Sequence, residues 1–346
     1  MSGDNAQVNR RLARLTRKPF LGCRAHRLHL AVKRLYDQGA KDKRSVRVAV
    51  DKVHSVMVQL NTLKNSSRLK TKTKLKAVVR NKTRWSSTYN MLRRYRQLKK
   101  ILRELFPKPT TRKRSKKKVS SIAYLIPSSF EDTEIDDLYE KLRKCESVNK
   151  VLQTGNTTES AELTLDESRV LFSKLCNDIP SLKSHLDPNA KVVECKEFES
   201  AIEKIQAGRE ENLTSREKDT VKFLLKSNEV DSDAEAGLES GSEDDTAYAT
   251  DILKLHHQQK RRRVSKYKST KHLTSTVCNC ERLFSRTKII MRPHRASMQP
   301  WHLELLVFLR ANKSLWDVHT IEELTKRNFE KTGEGHDDES DIDEQV

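Results

Sequence analysis

Apolar residues recur every three or four positions along much of the chain, which is the spacing of an amphipathic α-helix. One such stripe covers about 46–63 and steps through Val46, Val50, Val53, Met57, Leu60 and Leu63. A second stripe covers 85–105 and steps through Trp85, Tyr89, Leu92, Tyr95, Leu98, Leu102 and Leu105. Prolines follow the second stripe at Pro107 and Pro109. The pattern therefore predicts two long helices in the first third of the chain.

Shorter patterns flank these two helices. The apolar run Pro19–Cys23 predicts a buried strand. Apolar residues at helical spacing predict a helix on each side of it, at 5–17 and 25–36. A strand between two helices is a fragment of α/β architecture. Residues 133–226 predict four or five short amphipathic helices. A further helix is expected to start near Thr274, and the last one near Pro300. Because that last helix is apolar on more than one side, we expect it to lie in a core or a subunit interface.

Charge is distributed unevenly along the chain. The 346 residues have a net charge of +21, with 35% hydrophobic and only 5% aromatic residues. Residues 1–118 contain 36 Lys/Arg against 5 Asp/Glu, a net charge of +31, so that the remainder has −10. A positive field of this density attracts polyanions, which favours a nucleic acid over a merely basic surface.

Cysteines and apolar runs exclude several classes of protein. The scattered cysteines, and a start without a secretory signal, indicate reduced thiols in an intracellular protein. Cys23 and His26 are spaced like two zinc ligands, but no second Cys/His pair follows them at the distance that zinc fingers require. No apolar run approaches the length that spans a bilayer, and we expect neither a membrane partner nor a small-molecule substrate.

Composition also suggests seven segments. The run RKRSKKK at 112–118 is typical of a nuclear-localisation signal or a nucleic-acid patch, although a solvated linker has the same composition. Two acidic stretches are expected to be disordered. The predicted segments are a strand-and-helix segment at 1–36, a basic helical region at 37–106, a basic linker at 107–132, a helical region at 133–227, an acidic linker at 228–247, a C-terminal helical region at 248–331, and an acidic tail at 332–346.

Several motifs resemble those of the hAT superfamily of DNA transposases. CERLFS at 280–285, followed by LELLVFL at 303–309, is similar to the C-terminal segment of that family. GDNAQVN at 3–9 resembles its D-N-A-x-x-N stretch, and CRAH at 23–26 resembles its C-x-x-H box. RWSST at 84–88 resembles a further element, so the resemblance covers residues 3–105 and 270–316 in the family's order.

The resemblance implies a fold, a chemistry and a set of residues. The fold would be α/β with large helical content, namely an incomplete ribonuclease-H-like core interrupted by a helical insertion and mostly α overall. In that family three carboxylates hold two Mg²⁺ or Mn²⁺ ions for phosphoryl transfer, and Asp4 and Glu281 would be the second and third of them. Trp85 could stack on a flipped base, or it could be a core residue at a helix start. Other DNA contacts would be His26, Arg84, Arg93, Arg94, Lys99, Arg282 and Arg286, and the dimerisation helix would use Trp301, Leu305, Leu306, Phe308 and Leu309.

One departure from the family pattern shapes the functional expectation. The first catalytic Asp would lie upstream of the D-N-A-x-x-N stretch, which here begins three residues after Met1. We therefore expect a nuclear, transposase-derived protein that binds DNA and forms a homo-oligomer but is catalytically inactive, with no functional metal. Two alternatives stay open: an active transposase represented by a truncated gene model, and a purely structural interaction protein whose basic charge is incidental.

Overall fold

The chain folds mostly into helices that form two compact units. The first unit is Met1–Val277 and the second is Cys278–Val346. A sequence-based boundary at 247/248 thus differs from the structure, in which residues 248–277 belong to the first unit. The computed structural model describes residues 1–37, 46–81, 85–107, 121–154, 163–226, 246–259, 265–270, 273–291, 298–313 and 316–333.

A small parallel sheet opens the first unit. Strand β1 (Ser2–Gly3) pairs with β2 (Leu21–Gly22), and helix α1 (Gln7–Leu15) connects the two strands. Helix α2 (Arg24–Asp37) follows β2 directly, so the predicted strand and its flanking helices are confirmed. Gly22 has to be a glycine, since an added Cβ would lie 2.0 Å from Oδ1 of Asn5. The larger ribonuclease-H-like core remains a prediction, because the described residues contain only these two strands.

Ten further α-helices are described in the first unit. The stripe at 85–105 forms one helix with the predicted bounds, whereas the stripe at 46–63 divides into two helices at Asn61 and Thr62. The helices are α3 (Val46–Leu60), α4 (Leu63–Lys70), α5 (Trp85–Leu105), α6 (Ser121–Leu125), α7 (Ser129–Thr154), α8 (Leu165–Asp178), α9 (Lys183–Leu186), α10 (Lys196–Gln206), α11 (Ser215–Val221) and α12 (Ala247–Gln259).

Helix α7 begins earlier than the sequence pattern indicated. Ser128 and Glu131 cap its first turn reciprocally: Ser128 N donates to Glu131 Oε2 over 2.8 Å, and Glu131 N donates to Ser128 Oγ over 3.3 Å. Helix α6 precedes it and buries Ile122 and Ala123. The C-terminal part of the predicted linker 107–132 is therefore helix packed on the core.

The main core lies between α3, α5 and α7, with α2, α8 and α12 packed against them. Its side chains are large and apolar, as the helical stripes predicted. Buried representatives are Val53, Met57, Tyr89, Leu92, Leu98, Leu142, Leu171 and Phe172. Among the described residues, Cys23, Cys145, Cys176 and Cys195 form no disulfide, and burial raises the pKa of the Cys145 thiol to about 12. Cys23, Cys145 and Cys176 are buried and pack in the core.

Buried ion pairs join three helices of this unit. Arg24 and Arg27 of α2 both contact Glu199 of α10, over 2.9 and 2.8 Å. Arg24 also pairs with Glu203, to which Arg169 of α8 donates over 3.0 Å. We call these five residues the arginine–glutamate network. Burial alone would raise the pKa of Glu199, but the three arginines lower it below its ordinary value of 4.5.

Backbone carbonyls offset the extra positive charge of this network. Arg27 donates to the carbonyl oxygens of His185 and Asp187 over 3.2 and 3.1 Å, and Arg169 donates to that of Leu186 over 2.8 Å. These carbonyls lie at the end of α9, where a helix carries partial negative charge. Burial and the neighbouring Arg24 lower the pKa of Arg27 only to about 10, so it remains charged at neutral pH.

The segment that precedes the second unit is fixed to the first by Gln206. The Gln206 side-chain oxygen accepts from the N–H groups of Leu165 and Asp166 over 2.8 and 3.3 Å. Its nitrogen donates to the carbonyls of Thr270 and Leu273 over 2.9 and 3.3 Å. An isolated bridge between Thr164 and Thr274 adds to this attachment.

In the part of the second unit that the structure describes there are three helices, α13 (Cys278–Ile290), α14 (Pro300–Ala311) and α15 (Val318–Gly333). Helix α14 begins at the predicted position. Helix α13 begins later than Ser275, because the backbone of Ser275 is bound elsewhere, by Leu163 O and Arg24 N. Among the described residues, no helix is both long enough and apolar enough to cross a membrane.

Replacing Glu199 tests how far the fold depends on the arginine–glutamate network. Glu199→Gln leaves three buried arginines with one carboxylate, so we expect a loss of about 3–5 kcal/mol in the free energy of unfolding. Chemical denaturation followed by circular dichroism measures this loss. Glu197→Gln, at an exposed position of the same helix, should change stability by less than about 0.5 kcal/mol.

The same carboxylate should also make stability depend on pH. Because the pKa of Glu199 is lower in the folded chain, its contribution is present above pH 4.5 and is lost as the pH falls below that value. The acid-side decline should therefore be shallower in Glu199→Gln than in the parent chain. Equal slopes for both chains would contradict the assigned role.

Candidate nucleic-acid interface

Asp4 holds the start of α1. Its Oδ1 accepts from the side-chain nitrogen of Asn9 over 2.5 Å and from the backbone N–H of Ala6 over 3.2 Å. These bonds fix the turn between β1 and α1. Among the described residues, no group of three or more His, Cys, Asp or Glu side chains is arranged to hold a metal ion.

His26, the other candidate in this region, lies on α2 beside that turn. Its Nδ1 accepts from the backbone N–H of Asn5 over 3.3 Å, and its ring meets His29 edge-on with centroids 6.4 Å apart. Asn5 in turn donates to the carbonyl of Cys23 over 3.0 Å. The structure thus brings Asp4 and His26 into one turn, where both position backbone.

Trp85 lies in the core at the first residue of α5. Only 3% of its surface is exposed, and it belongs to the main hydrophobic cluster. A ring enclosed in this way offers no face on which a base could stack. The structure favours the packing alternative for Trp85, while the predicted contact at Arg84 lies outside the described residues.

The basic face of α5 is largely a contact surface for α7. Lys99 binds Asp136 over 2.8 Å, and Arg96 binds Asp136 and Glu140 over 2.8 and 3.2 Å. Arg103 pairs with the buried Asp132, which also accepts from the Tyr95 hydroxyl over 2.8 Å. The candidate Lys99 therefore faces a carboxylate of this chain.

Two other α5 candidates have different surroundings. Arg94 donates to the carbonyl oxygen of Lys76 over 2.7 Å and so ties the segment before α5 to the helix. Arg93 is exposed on the outer face of α5. Of the three arginine and lysine candidates on this helix, Arg93 is thus the one directed to solvent.

The surface beside α5 consists mainly of basic residues that belong to none of the quoted sequence motifs. Between Leu63 and Asn81 the chain has seven Lys/Arg and no Asp/Glu. Lys70 at the end of α4 and Lys72 in the turn after it are exposed, and in the stretch that follows exposure alternates, so that Lys74 and Lys76 point outward while Leu75 and Ala77 pack against the core. We call the outward side chains Lys70, Lys72, Lys74 and Lys76 the lysine row.

Contacts with α5 define the direction of the lysine row. Arg68 donates to the carbonyl of Leu105 over 2.9 Å, Lys72 binds Glu104 over 2.5 Å, and the backbone carbonyl of Lys76 accepts from Arg94. The stretch therefore runs antiparallel to α5 and lies along its outer face. Lys100, one turn before Glu104, is exposed on that face and extends the positive surface.

Most of the lysine row is electrostatically unneutralised. In the part of the chain that the structure describes, Lys70, Lys74, Lys76 and Lys100 have no carboxylate within ion-pair distance, and Lys72 has Glu104 alone. Alternating lysines in TKTKLK, at 71–76, are the sequence signal that could have identified the row.

Candidates in the second unit divide into two groups. Glu281, Arg282 and Arg286 fall within α13, but their side chains lie outside the described residues. The side chains proposed for dimerisation are described, and α14 buries none of its residues within the chain. Between 37% and 61% of the surface is exposed for Trp301, Leu305, Leu306, Phe308 and Leu309.

Trp85 gives a direct test of the two alternatives raised by the sequence. If it serves packing, Trp85→Ala should cost about 3–5 kcal/mol in unfolding free energy through the cavity it creates. Trp85→Phe should retain most of the stability and the full affinity for nucleic acid. A Trp85→Phe variant that folds normally but loses tenfold or more in affinity would restore the stacking role.

Comparisons with known proteins leave the family open. The chain matches none of the models of known protein families, and no curated protein gives a significant sequence match. The similarity to hAT transposases thus rests on the quoted motifs. The lysine row and the exposed helix α14 stand independently of that similarity.

Proposed function

We propose that this chain is a nucleic-acid-binding protein, related to hAT transposases, that binds DNA through the lysine row and self-associates through α14. The observation that carries the proposal is the lysine row: four outward lysines along α5, of which one alone has a carboxylate partner among the described residues. Mutual repulsion between such lysines is relieved when a polyanion binds.

The internal ion pairs of α5 strengthen this argument. Arg96, Lys99 and Arg103 are matched by acidic residues of α7, so the excess positive charge of this region is concentrated on the opposite, solvent-facing side. A basic protein without a polyanionic partner would gain nothing from such segregation. The motifs that resemble hAT transposases favour DNA among the polyanions.

Binding, and not strand cleavage, is the activity proposed. The Asp4 carboxylate already accepts from Asn9 and Ala6, and both bonds stabilise the local turn. We infer that Asp4 acts in folding. His26, whose Nδ1 accepts from Asn5, acts in the same way.

Self-association is supported by the surface of the second unit. Five large apolar side chains on a helix of 12 residues face solvent in the single chain. At about 25 cal/mol per Å² of apolar surface, covering them on two copies would contribute several kcal/mol. The same apolar patch on a second copy of the chain is suited to bury these side chains, because in a two-fold interface identical patches pack against each other.

Neutralising the lysine row should weaken DNA binding. For Lys70→Gln/Lys74→Gln/Lys76→Gln we expect the affinity for DNA to fall by about 10²-fold or more at moderate salt, since each phosphate contact is lost with its released counterions. Fluorescence anisotropy with a labelled duplex measures the affinity. All three side chains are exposed, so the thermal unfolding curve should stay unchanged.

A matched variant controls for total charge. Lys141→Gln/Lys174→Gln/Lys222→Gln removes the same number of charges from lysines that have carboxylate partners three or four residues away. Its affinity should fall by less than about threefold. Equal losses in the two triple variants would mean that net charge, and not this surface, attracts DNA.

Polar substitutions on α14 should abolish self-association. We expect the parent chain to be at least a dimer at micromolar concentration, and Leu305→Asp/Phe308→Asp to be a monomer, because two charges would be buried unpaired at the interface. Size-exclusion chromatography with light scattering measures the mass. Val318→Asp, at an exposed apolar residue of α15, serves as the control and should retain the parent mass. A monomeric parent chain would contradict the proposal.

A further inference from the structure

We infer that the lysine row recognises double-stranded nucleic acid through its phosphates alone and does not read bases. This inference rests on the proposed function and specifies the form of its ligand. The row and the outer face of α5 together supply the groups that a ligand would meet. Their chemistry and their spacing decide which features of a nucleic acid can be recognised.

The aromatic side chains of this region are unable to stack on bases. Proteins that bind single strands place bases against exposed aromatic rings, at about 1–3 kcal/mol per base. Here Trp85, Tyr89 and Tyr95 are buried, and Phe106 is buried under the guanidinium of Arg68. Residues 63–81 contain no aromatic residue. A single strand would therefore bind this surface without its main source of affinity.

Three arginines of this region are occupied by the fold itself. Arginine is the commonest side chain that reads guanine in the major groove, whereas lysine mostly acts as a point charge on phosphate. Arg68 donates to Leu105 O, Arg94 donates to Lys76 O, and Arg80 pairs with Asp51. Solvent-facing positive charge at residues 63–81 is thus mainly lysine, which contacts phosphates without distinguishing sequence, and Arg93 is an exposed arginine on the outer face of α5.

The backbone also fixes the positions of the lysines. Lys70 ends α4 and Lys72 lies in the turn that follows it, whereas Lys74 and Lys76 are alternate residues of the stretch after that turn, about 6.6 Å apart on one side where the chain is extended. Leu75 and Ala77 anchor the segment to the core, and Arg94 holds its backbone at Lys76. The row is therefore preorganised, and a rigid ligand loses less entropy than a flexible one when it binds such a surface.

Charge density also favours a duplex over a single strand. A duplex carries about one negative charge per 1.7 Å of axis, twice the density of either strand, and releases more counterions for each phosphate that is neutralised. With no stacking to compensate, we expect a duplex to bind the full chain on the order of tenfold more tightly than a single strand of equal length.

Anisotropy measurements with the full chain test this inference. The probes are two labelled 20-base-pair DNA duplexes of unrelated sequence and their separated strands, each titrated at four salt concentrations. We expect the two duplexes to agree within about threefold and to bind about tenfold more tightly than the strands. The slope of log K against log salt for the duplexes should be about −3 to −5, the value for four or five phosphate contacts.

A single substitution that strengthens binding adds a sharper test. Glu104 is the carboxylate that pairs with Lys72, so Glu104→Gln should release Lys72 for a phosphate. We expect tighter duplex binding and a slope that is steeper by about 0.9. Glu197→Gln removes the same charge from an exposed position on α10 and should leave the slope unchanged.

Each outcome identifies what fails. If no probe binds, the proposed function itself is wrong. If strands bind as tightly as duplexes, or one duplex is preferred more than tenfold, binding stands but phosphate-only recognition of a duplex is wrong. If Glu104→Gln and Glu197→Gln have equal slopes, Lys72 is not part of the binding surface and the row as defined is wrong.

Discussion

Buried charge holds the first unit together. The arginine–glutamate network joins α2, α8 and α10 through side chains that are almost fully enclosed, and three arginines share two carboxylates. Such a group is stable only if its geometry is complete, because a buried ion that loses its partner costs several kcal/mol. Carbonyls at the end of α9 accept from Arg27 and Arg169, and Arg24 and Arg27 lie over the ring of Phe172, while Nε and Nη1 of Arg24 have no hydrogen-bond partner among the described residues. The position of the β1–β2 sheet follows, since α2 continues directly from β2.

Electrostatic pairing also determines which basic residues remain available to a partner. The sequence places most of its positive charge in the first third, but packing divides that charge into two parts. Arg96, Lys99 and Arg103 are bound by the acidic face of α7, and the lysine row is left facing solvent. The net charge of the sequence therefore overstates the positive charge that is accessible to a polyanion. The accessible positive surface lies beside α5 and not on the most basic face of α5.

The sequence predicts local structure here better than it predicts partners. The spacing of apolar residues correctly predicted the bounds of α5 and the start of α14, because both helices have a continuous apolar stripe and prolines at their ends. It could not show that Lys99 meets Asp136, 37 residues away, or that Trp85 is enclosed, since both depend on how α7 packs. For the same reason the sequence could not show that Arg24 and Arg27 of α2 meet Glu199 of α10. Alternating lysines before α5 were visible in the sequence, but their outward direction follows from the anchoring of Leu75 and Ala77.

Gln206 gives the connection between the two units a mechanical property. Its amide makes four hydrogen bonds to backbone groups, two at the start of α8 and two in the segment that leads to α13. A pull on the second unit would first load the backbone hydrogen bonds of Ser275 with Arg24 and Leu163, then the Thr164–Thr274 bridge, and then this amide. The segment before α13 is thus tied to the first unit by backbone bonds and one side-chain amide in series. Under the proposed function, in which one unit holds DNA and the other holds a second copy of the chain, these bonds would bear the force between them.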